Sequence, residues 1–183
     1  MNNTVYLLST KELKQYSVIN ENVDDSLLHN AILEAQQIEL QQILGSCLYE
    51  RIIGLVSDDE IQNEPDYKKL LDDYCRKIIV YAATQRAVIY LHYKMMNKGV
   101  TAQNSDNSNP IDLNELQFLM DHIKNDLEFF SKRLQDYLKQ NEDLYPEYKP
   151  CGCGSLTPQK NVYRTSLVIP NRCDGHYGYY NVK

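Results

Sequence analysis

Apolar residues recur every three or four positions through the first 145 residues, a spacing that predicts helices with one buried face. Ser9 and Glu12 have the spacing of a capping box, which predicts a short helix over residues 11–16. The remaining residues lack this periodicity. The chain is therefore predicted to consist of a helical domain, residues 1–145, and an extended C-terminal arm, residues 146–183.

A second helix is predicted from Asp24 or Asp25 to about Leu44, and Gly45 is well placed to end it. A third, shorter helix is predicted over residues 47–56. The buried stripe of the second helix is expected to consist of Leu28, Ala31, Ile32, Ala35 and Ile38.

A long helix is predicted from about Asp66 to Asn97, with Pro65 suited to its first turn and Gly99 marking its end. A lone histidine on an apolar stripe, here His92, is expected to be a hydrogen-bonded core residue. The stripe consists of Leu71, Tyr74, Cys75, Ile78, Ala82, Gln85, Ile89, His92 and Met96.

Residues 100–110 are polar and predict a loop, after which Asp112 and Glu115 predict a capped helix that runs to about Asn141. Its 3-4 spacing favours an antiparallel hairpin with the 66–97 helix, although a coiled-coil seam with another chain has the same spacing. The stripe consists of Leu113, Leu116, Met120, Ile123, Leu127, Phe130, Leu134 and Tyr137.

Proline and glycine residues in the arm exclude a long helix there, and only residues 162–169 predict a strand or an extended segment. The predicted fold is therefore mainly α. It is a helical bundle in which the two long helices form an antiparallel hairpin, followed by an extended arm with a short strand or hairpin.

The chain has 25 acidic and 19 basic side chains and a formal net charge of −6, which argues against a protein that coats nucleic acid. No apolar run approaches the roughly 20 residues that span a bilayer, and the N-terminus lacks a secretion-signal pattern. We expect a protein made in a cytoplasm, with reduced thiols and no membrane partner.

The five cysteines fall into two groups. Cys47 and Cys75 lie in predicted helices and are interpreted as small buried hydrophobes. In the arm, three thiols and an imidazole have the elements of a structural zinc site, but the single residue between the first two thiols strains joint ligation. Free thiols are therefore the preferred interpretation of the arm residues Cys151, Cys153 and Cys173, with His176 the fourth candidate ligand.

Motifs for nucleotide binding and for zinc or serine hydrolysis are absent: GxxxxGK[ST], GxGxxG, HExxH and GxSxG do not occur. No Cys–His or Ser–His pair is placed to suggest a nucleophile. We expect no enzymatic activity and no cofactor.

Four stretches in the N-terminal third carry a family resemblance: residues 8–16, 23–28, 31–36 and 44–49. Their order and spacing resemble the opening of head–tail connector, or adaptor, proteins of tailed bacteriophages. The longer, Tyr- and Asn-rich form of this chain is similar to the first neck-ring proteins of crAss-like phages. The resemblance extends through residue 141 only as a helical pattern.

This resemblance implies a structural protein of the virion neck, assembled in the host bacterial cytoplasm. Such adaptors form a ring, commonly of twelve copies, beneath the portal protein, contact further neck or tail proteins, and extend the channel through which DNA passes without sequence-specific binding. An acidic chain suits such a channel, because a basic wall would hold the phosphates of the DNA.

The arm is expected to gain order by lying on a neighbouring copy or on the portal. Tyrosine suits surfaces that a partner buries, although codon usage also explains 15 tyrosines against 3 phenylalanines and no tryptophan. The candidate interface residues are Tyr163, Leu167, Ile169, Tyr177, Tyr179 and Tyr180.

Two other functions compete with the adaptor. One is a cytoplasmic helical scaffold or regulator that binds a partner through the 112–141 helix. The other is a small zinc-dependent protein built on the arm cysteines.

Overall fold

A computed structural model describes residues 4–96, 99–102, 113–152 and 155–160, and this part of the chain is mainly helical. None of its helices is long and apolar enough to cross a membrane. The α-helices of the described residues are α1 (Thr10–Tyr16), α2 (Asp25–Glu34), α3 (Gln41–Ser57), α4 (Pro65–Leu70), α5 (Arg76–His92) and α6 (Leu113–Gln140). The shorter elements are two π-helical turns (Ala35–Leu40 and Leu71–Cys75), two 3-10 turns (Ile61–Asn63 and Glu142–Leu144) and the strands β1 (Tyr93–Met96) and β2 (Gly99–Ala102).

The first two helices begin at side-chain caps. The Glu12 backbone N–H donates to Ser9 Oγ at 3.2 Å, and the Ser9 backbone N–H donates to Glu12 Oε2 at 3.0 Å. This reciprocal pair confirms the predicted capping box. Asp24, not Asp25, caps α2, because its Oδ1 accepts the Ser26 backbone N–H at 2.9 Å. Pro65 occupies the first turn of α4, as predicted.

A π-helical turn continues α2 and changes which side chains face the core. Ile38 was expected on the buried stripe, but it is 44% exposed, so that prediction is wrong. The wider i→i+5 turn rotates the later residues relative to α-helical spacing. Gln36 and Leu40 are buried there instead.

The helix predicted to end at Asn97 ends at His92, so its predicted C-terminus is wrong. The chain continues into an antiparallel hairpin in which Tyr93 pairs with Ala102 and Met96 with Gly99. In the hairpin, the backbone N–H and C=O groups of these residues form hydrogen bonds with the second strand. A longer helix would also have satisfied these groups. Helical periodicity does not distinguish these two outcomes, because it reports only where the apolar residues fall.

α6 packs against α5 and against the π-helical turn Leu71–Cys75, which precedes α5. The ring of Tyr74 stacks on Tyr137 with centroids 4.2 Å apart, and Tyr81 stacks on Phe130 at 5.1 Å. The buried face of α6 includes four residues of the predicted stripe, which are Leu116, Ile123, Leu127 and Leu134. Together with α2 and α3, these helices enclose one hydrophobic core.

Candidate functional site

Gly45, which the sequence predicted to end a helix, breaks the helical geometry inside α3 with φ 77° and ψ 164°. Only glycine adopts this backbone region without strain. The ring of Pro158 covers the break so closely that a methyl group on Gly45 would lie 2.6 Å from Pro158 Cγ. The break is therefore a docking point for a segment that lies more than a hundred residues later in the sequence.

Residues 155–160, which we call the strap, bind along this break through their backbone. The Ser46 backbone N–H donates to the Leu156 carbonyl at 3.0 Å, and the Leu156 N–H donates to Ser46 Oγ at 3.0 Å. The Gln159 N–H donates to the Gln42 carbonyl at 2.9 Å. The strap therefore uses the carbonyl and N–H groups that a continuous helix would have bonded internally.

The strap also contacts α6, so it joins two helices. Gln135, which is 3% exposed, donates from Nε2 to the Gln159 carbonyl at 2.8 Å. Lys160 forms an ion pair with Glu142 at 2.7 Å. Pro158 is buried between these contacts. The described part of the predicted arm thus lies on its own helical domain.

A disulfide joins Cys47 in α3 to Cys151, and their Cα atoms are 6.0 Å apart, which is within the ordinary range for such a bond. The prediction that Cys47 is only a small buried hydrophobe is therefore wrong, because its side chain is partly exposed and bonded to Cys151. A nonlocal bond of this kind leaves no local sequence signal, since the two cysteines are 104 residues apart. Cys75 is fully buried and free, as predicted, and burial raises the pKa of its thiol.

The candidate zinc ligands are therefore not gathered among the described residues. Cys151 is bonded to Cys47, while Cys153, Cys173 and His176 lie outside the described part of the chain. Within that part, no group of three or more His, Cys, Asp or Glu side chains is placed to hold a metal ion.

The chain between α6 and the strap is anchored by tyrosines. Tyr145 is 1% exposed, and its hydroxyl donates to the Asp66 carbonyl at 3.0 Å and lies 3.1 Å from the Tyr137 hydroxyl. Tyr67 donates to Glu147 Oε2 at 2.7 Å. Burial, together with this carboxylate, raises the pKa of Tyr67 to about 12.

A surface groove of about 440 Å³ lies where α1 meets α5 and α6. Arg76 lies at its edge, 3.0 Å from Glu12 and 3.3 Å from Asp72. Partial burial acts to raise the pKa of Glu12, but the Ser9 hydrogen bonds and Arg76 outweigh it and hold this pKa below its ordinary value. Leu8, Val80, Tyr81 and Phe130 supply the apolar lining.

Four of the large apolar side chains on the described surface are more than 60% exposed. Phe118 and Phe129 on α6 are 78% and 64% exposed. Tyr16, the last residue of α1, and Val18, two residues beyond it, are 67% and 82% exposed. Phe118 and Phe129 are eleven positions apart, which is about three helical turns, so both lie on the same outward face of α6. Such side chains are candidates for contact with another protein.

The candidate interface residues of the arm, from Tyr163 to Tyr180, lie outside the described residues. The strap contacts were missed by sequence reasoning. Gly45 was recognised as a helix end, but Gln42, Ser46 and Gln135 look like ordinary polar helix residues, and no local pattern identifies their partners.

Residues 40–157 match the model of a family of unknown function, DUF6712, and the chain belongs to this family. The matched range includes the Gly45 break, both disulfide cysteines and the first half of the strap. No curated protein and no solved structure matches the chain.

Proposed function

We propose that the chain is a structural protein of the neck of a tailed bacteriophage, an adaptor that forms an oligomeric ring between the portal and the tail. In this proposal the ring extends the DNA channel, further neck or tail proteins bind below it, and no step is catalysed. The particle forms in the host bacterial cytoplasm.

The observation that supports the proposal most is the arrangement of the four adaptor-like stretches. Residues 8–16 form a capped α1, residues 23–28 cap and begin α2, and residues 44–49 contain the glycine break in α3. α1 and α2 are in contact, and both pack against α5. These stretches therefore belong to one packed unit, which agrees with a resemblance that rests on their order and spacing.

The finer architecture belongs to the same proposal. The stacked pairs run in opposite directions along the chain, because Tyr74 meets Tyr137 while the later Tyr81 meets the earlier Phe130. We infer an antiparallel hairpin of the 66–92 and 113–140 segments. We also retain the inference that residues 162–169 form a strand or an extended arm that binds a neighbouring copy.

The distribution of charge along the chain supports a contact between the C-terminal residues of one copy and the body of the next. Residues 161–183 contain three basic side chains and one acidic side chain, whereas residues 1–160 carry a formal net charge of −8. Residues 161–183 of one copy and residues 1–160 of the next therefore carry opposite net charges, which favours contact between them. The exposed Phe118, Phe129, Tyr16 and Val18 provide apolar surface for side-by-side contacts in a ring.

The alternative is a helical scaffold that binds a partner through α6. Most of the predicted apolar seam of that helix is not free, since Leu127 and Leu134 are buried in the core. A partner would instead meet the outward face that carries Phe118 and Phe129. Their exposure is the observation that favours this second candidate.

Native mass spectrometry of the full chain, over a range of concentrations and with and without a portal protein from the same virus, tests the proposal. We expect a ring-sized oligomer of metal-free subunits, alone or on the portal. A stable dimer that does not bind the portal would favour the scaffold. A monomer that does not bind the portal would refute the adaptor. Stoichiometric zinc would favour the arm-cysteine site.

The arm is tested by a chain that ends at Lys160. An earlier cut would remove Tyr148 and Pro158, both of which are buried, and would confuse loss of assembly with loss of folding. We expect unchanged helical circular dichroism and lost ring assembly. A double variant, Tyr163→Ser with Leu167→Ser, should weaken assembly in the full chain, whereas Gln37→Ala on the exposed surface should not.

A further inference from the structure

The chain shortly before the strap is bonded covalently to α3, in addition to the hydrogen bonds of the strap itself. Cys47 lies next to Ser46, which exchanges two hydrogen bonds with Leu156, and Cys151 lies five residues before Leu156. Disulfide and strap therefore close a small ring of contacts at the Gly45 break. Any change in the disulfide changes the tether that holds the strap.

Both sulfurs are placed for reaction with small molecules. Cys151 is exposed and Cys47 is only partly buried. Cys75, in contrast, is fully buried, and burial raises the pKa of its thiol, so it is protected from the same reagents. The chain thus contains a reactive pair and an internal control.

We propose that Cys47 and Cys151 are a reversible thiol–disulfide site that controls how firmly the strap is held. The pair is reduced in a glutathione-rich cytoplasm and oxidised when the protein leaves it. Oxidation shortens the tether that holds the strap at Gly45, and reduction leaves the strap held by its hydrogen bonds and Pro158 alone. This proposal does not rest on the adaptor function.

The chemistry needs a disulfide oxidant of low molecular weight, such as oxidised glutathione. The Cys151 thiolate attacks one sulfur of the oxidant and releases one glutathione thiolate. The Cys47 thiolate then attacks the Cys151 sulfur of the mixed disulfide and releases the second. The two protein thiols lose two protons to solvent and two electrons to the oxidant, which becomes two glutathione molecules after protonation.

The size of the effect follows from tether length. Without the disulfide, the nearest upstream anchor of Leu156 is the buried Tyr148, eight residues away; with it, the anchor is Cys151, five residues away. Because effective concentration falls as about the −3/2 power of tether length, oxidation should favour the docked strap by about two-fold. Openings that also release Tyr148 should be suppressed much more strongly.

The test equilibrates the full-length protein with glutathione buffers of defined oxidation, blocks free thiols and maps the products by mass spectrometry. We expect a Cys47–Cys151 disulfide and an unmodified Cys75. The Ser46 amide donates to the strap, and the Gln159 amide of the strap donates to α3. Hydrogen exchange at both amides should be at least about two-fold slower in the oxidised protein than in the reduced protein.

A matched pair of variants tests the coupling. Thermodynamic reciprocity requires that a docked strap favour the disulfide by the same factor by which the disulfide favours docking. Gly45→Ala, which forces Pro158 away, should make the disulfide easier to reduce by glutathione, whereas Gly54→Ala, with nothing within 4 Å of its added methyl group, should not.

Three results would overturn the proposal. Cys47 and Cys151 could remain free thiols at every glutathione ratio, or Cys151 could pair with Cys153 or Cys173 instead. Equal amide exchange in the oxidised and reduced wild-type protein, together with equal glutathione equilibria in the wild-type protein and Gly45→Ala, would show that the bond and the strap are not coupled.

Discussion

Replacing Gly45 with alanine puts a methyl group where the strap crosses α3. The backbone there has φ 77° and ψ 164°, a region in which a non-glycine residue costs about 1–3 kcal/mol. The new Cβ would also lie 2.6 Å from Cγ and 2.7 Å from Cδ of Pro158, and such overpacking costs about 1–3 kcal/mol. We expect the free energy of unfolding to fall by about 4 kcal/mol, the middle of the combined range.

Urea unfolding followed by circular dichroism measures this loss. At a denaturant slope of about 2 kcal/mol/M, the midpoint should fall by about 2 M. Gly54→Ala is the matched control, because Gly54 lies in the same helix with ordinary helical geometry and open space around it. This substitution should raise the free energy of unfolding by about 0.5–1 kcal/mol.

Adding Pro158→Ala separates the two parts of the cost. The double variant lacks the ring atoms that meet the new methyl group, so it should be more stable than the sum of the single variants by about 1–3 kcal/mol. A loss below about 1 kcal/mol for Gly45→Ala alone, or full additivity in the double variant, would refute the docking geometry described for the strap.

Three further predictions concern the caps and buried polar groups. Ser9→Ala removes the capping box of α1 and should cost about 1 kcal/mol, whereas Thr10→Ala should cost less; urea midpoints compare them. Gln36→Ala leaves the Leu7 N–H without its acceptor at 3.1 Å and should cost about 1–3 kcal/mol, with an expected loss of protection at the Leu7 amide in hydrogen exchange. Burial raises the pKa of Tyr67 to about 12, so its contribution to stability is complete below pH 10 and is lost as the pH rises towards 12; Tyr67→Phe should flatten that part of the alkaline unfolding curve, and an unchanged curve would contradict the assignment.

Local features of the fold could be predicted from the sequence, because each depends on residues that are close together in the chain. The Ser9 capping box, the Gly45 break and the apolar face of α6 are of this kind. The π-helical turn that exposes Ile38 was missed. The wider turn rotates the later side chains around the helix axis, and the pattern of apolar residues in the sequence does not reveal this rotation.

Contacts between distant residues could not be predicted. Gln135 and Gln42 receive their roles from a strap that lies 24 residues after the first and more than a hundred after the second. The same limit applies to Cys47, whose partner is fixed only when the strap region returns to α3. The arm was predicted to be extended, and its polar, proline-rich composition gives no sign of which surface it covers.

The distance along the chain between Ser46 and Leu156, 110 residues, has a consequence for synthesis. At roughly 5–20 residues per second, α3 leaves the ribosome about 5–20 s before the strap does, and the first half of the core has time to pack around an uncovered glycine break. Docking of the strap is therefore a late event in folding. Substitutions in the strap should accelerate unfolding and leave the folding rate nearly unchanged, so the strap contributes to the lifetime of the native state rather than to the speed with which it forms.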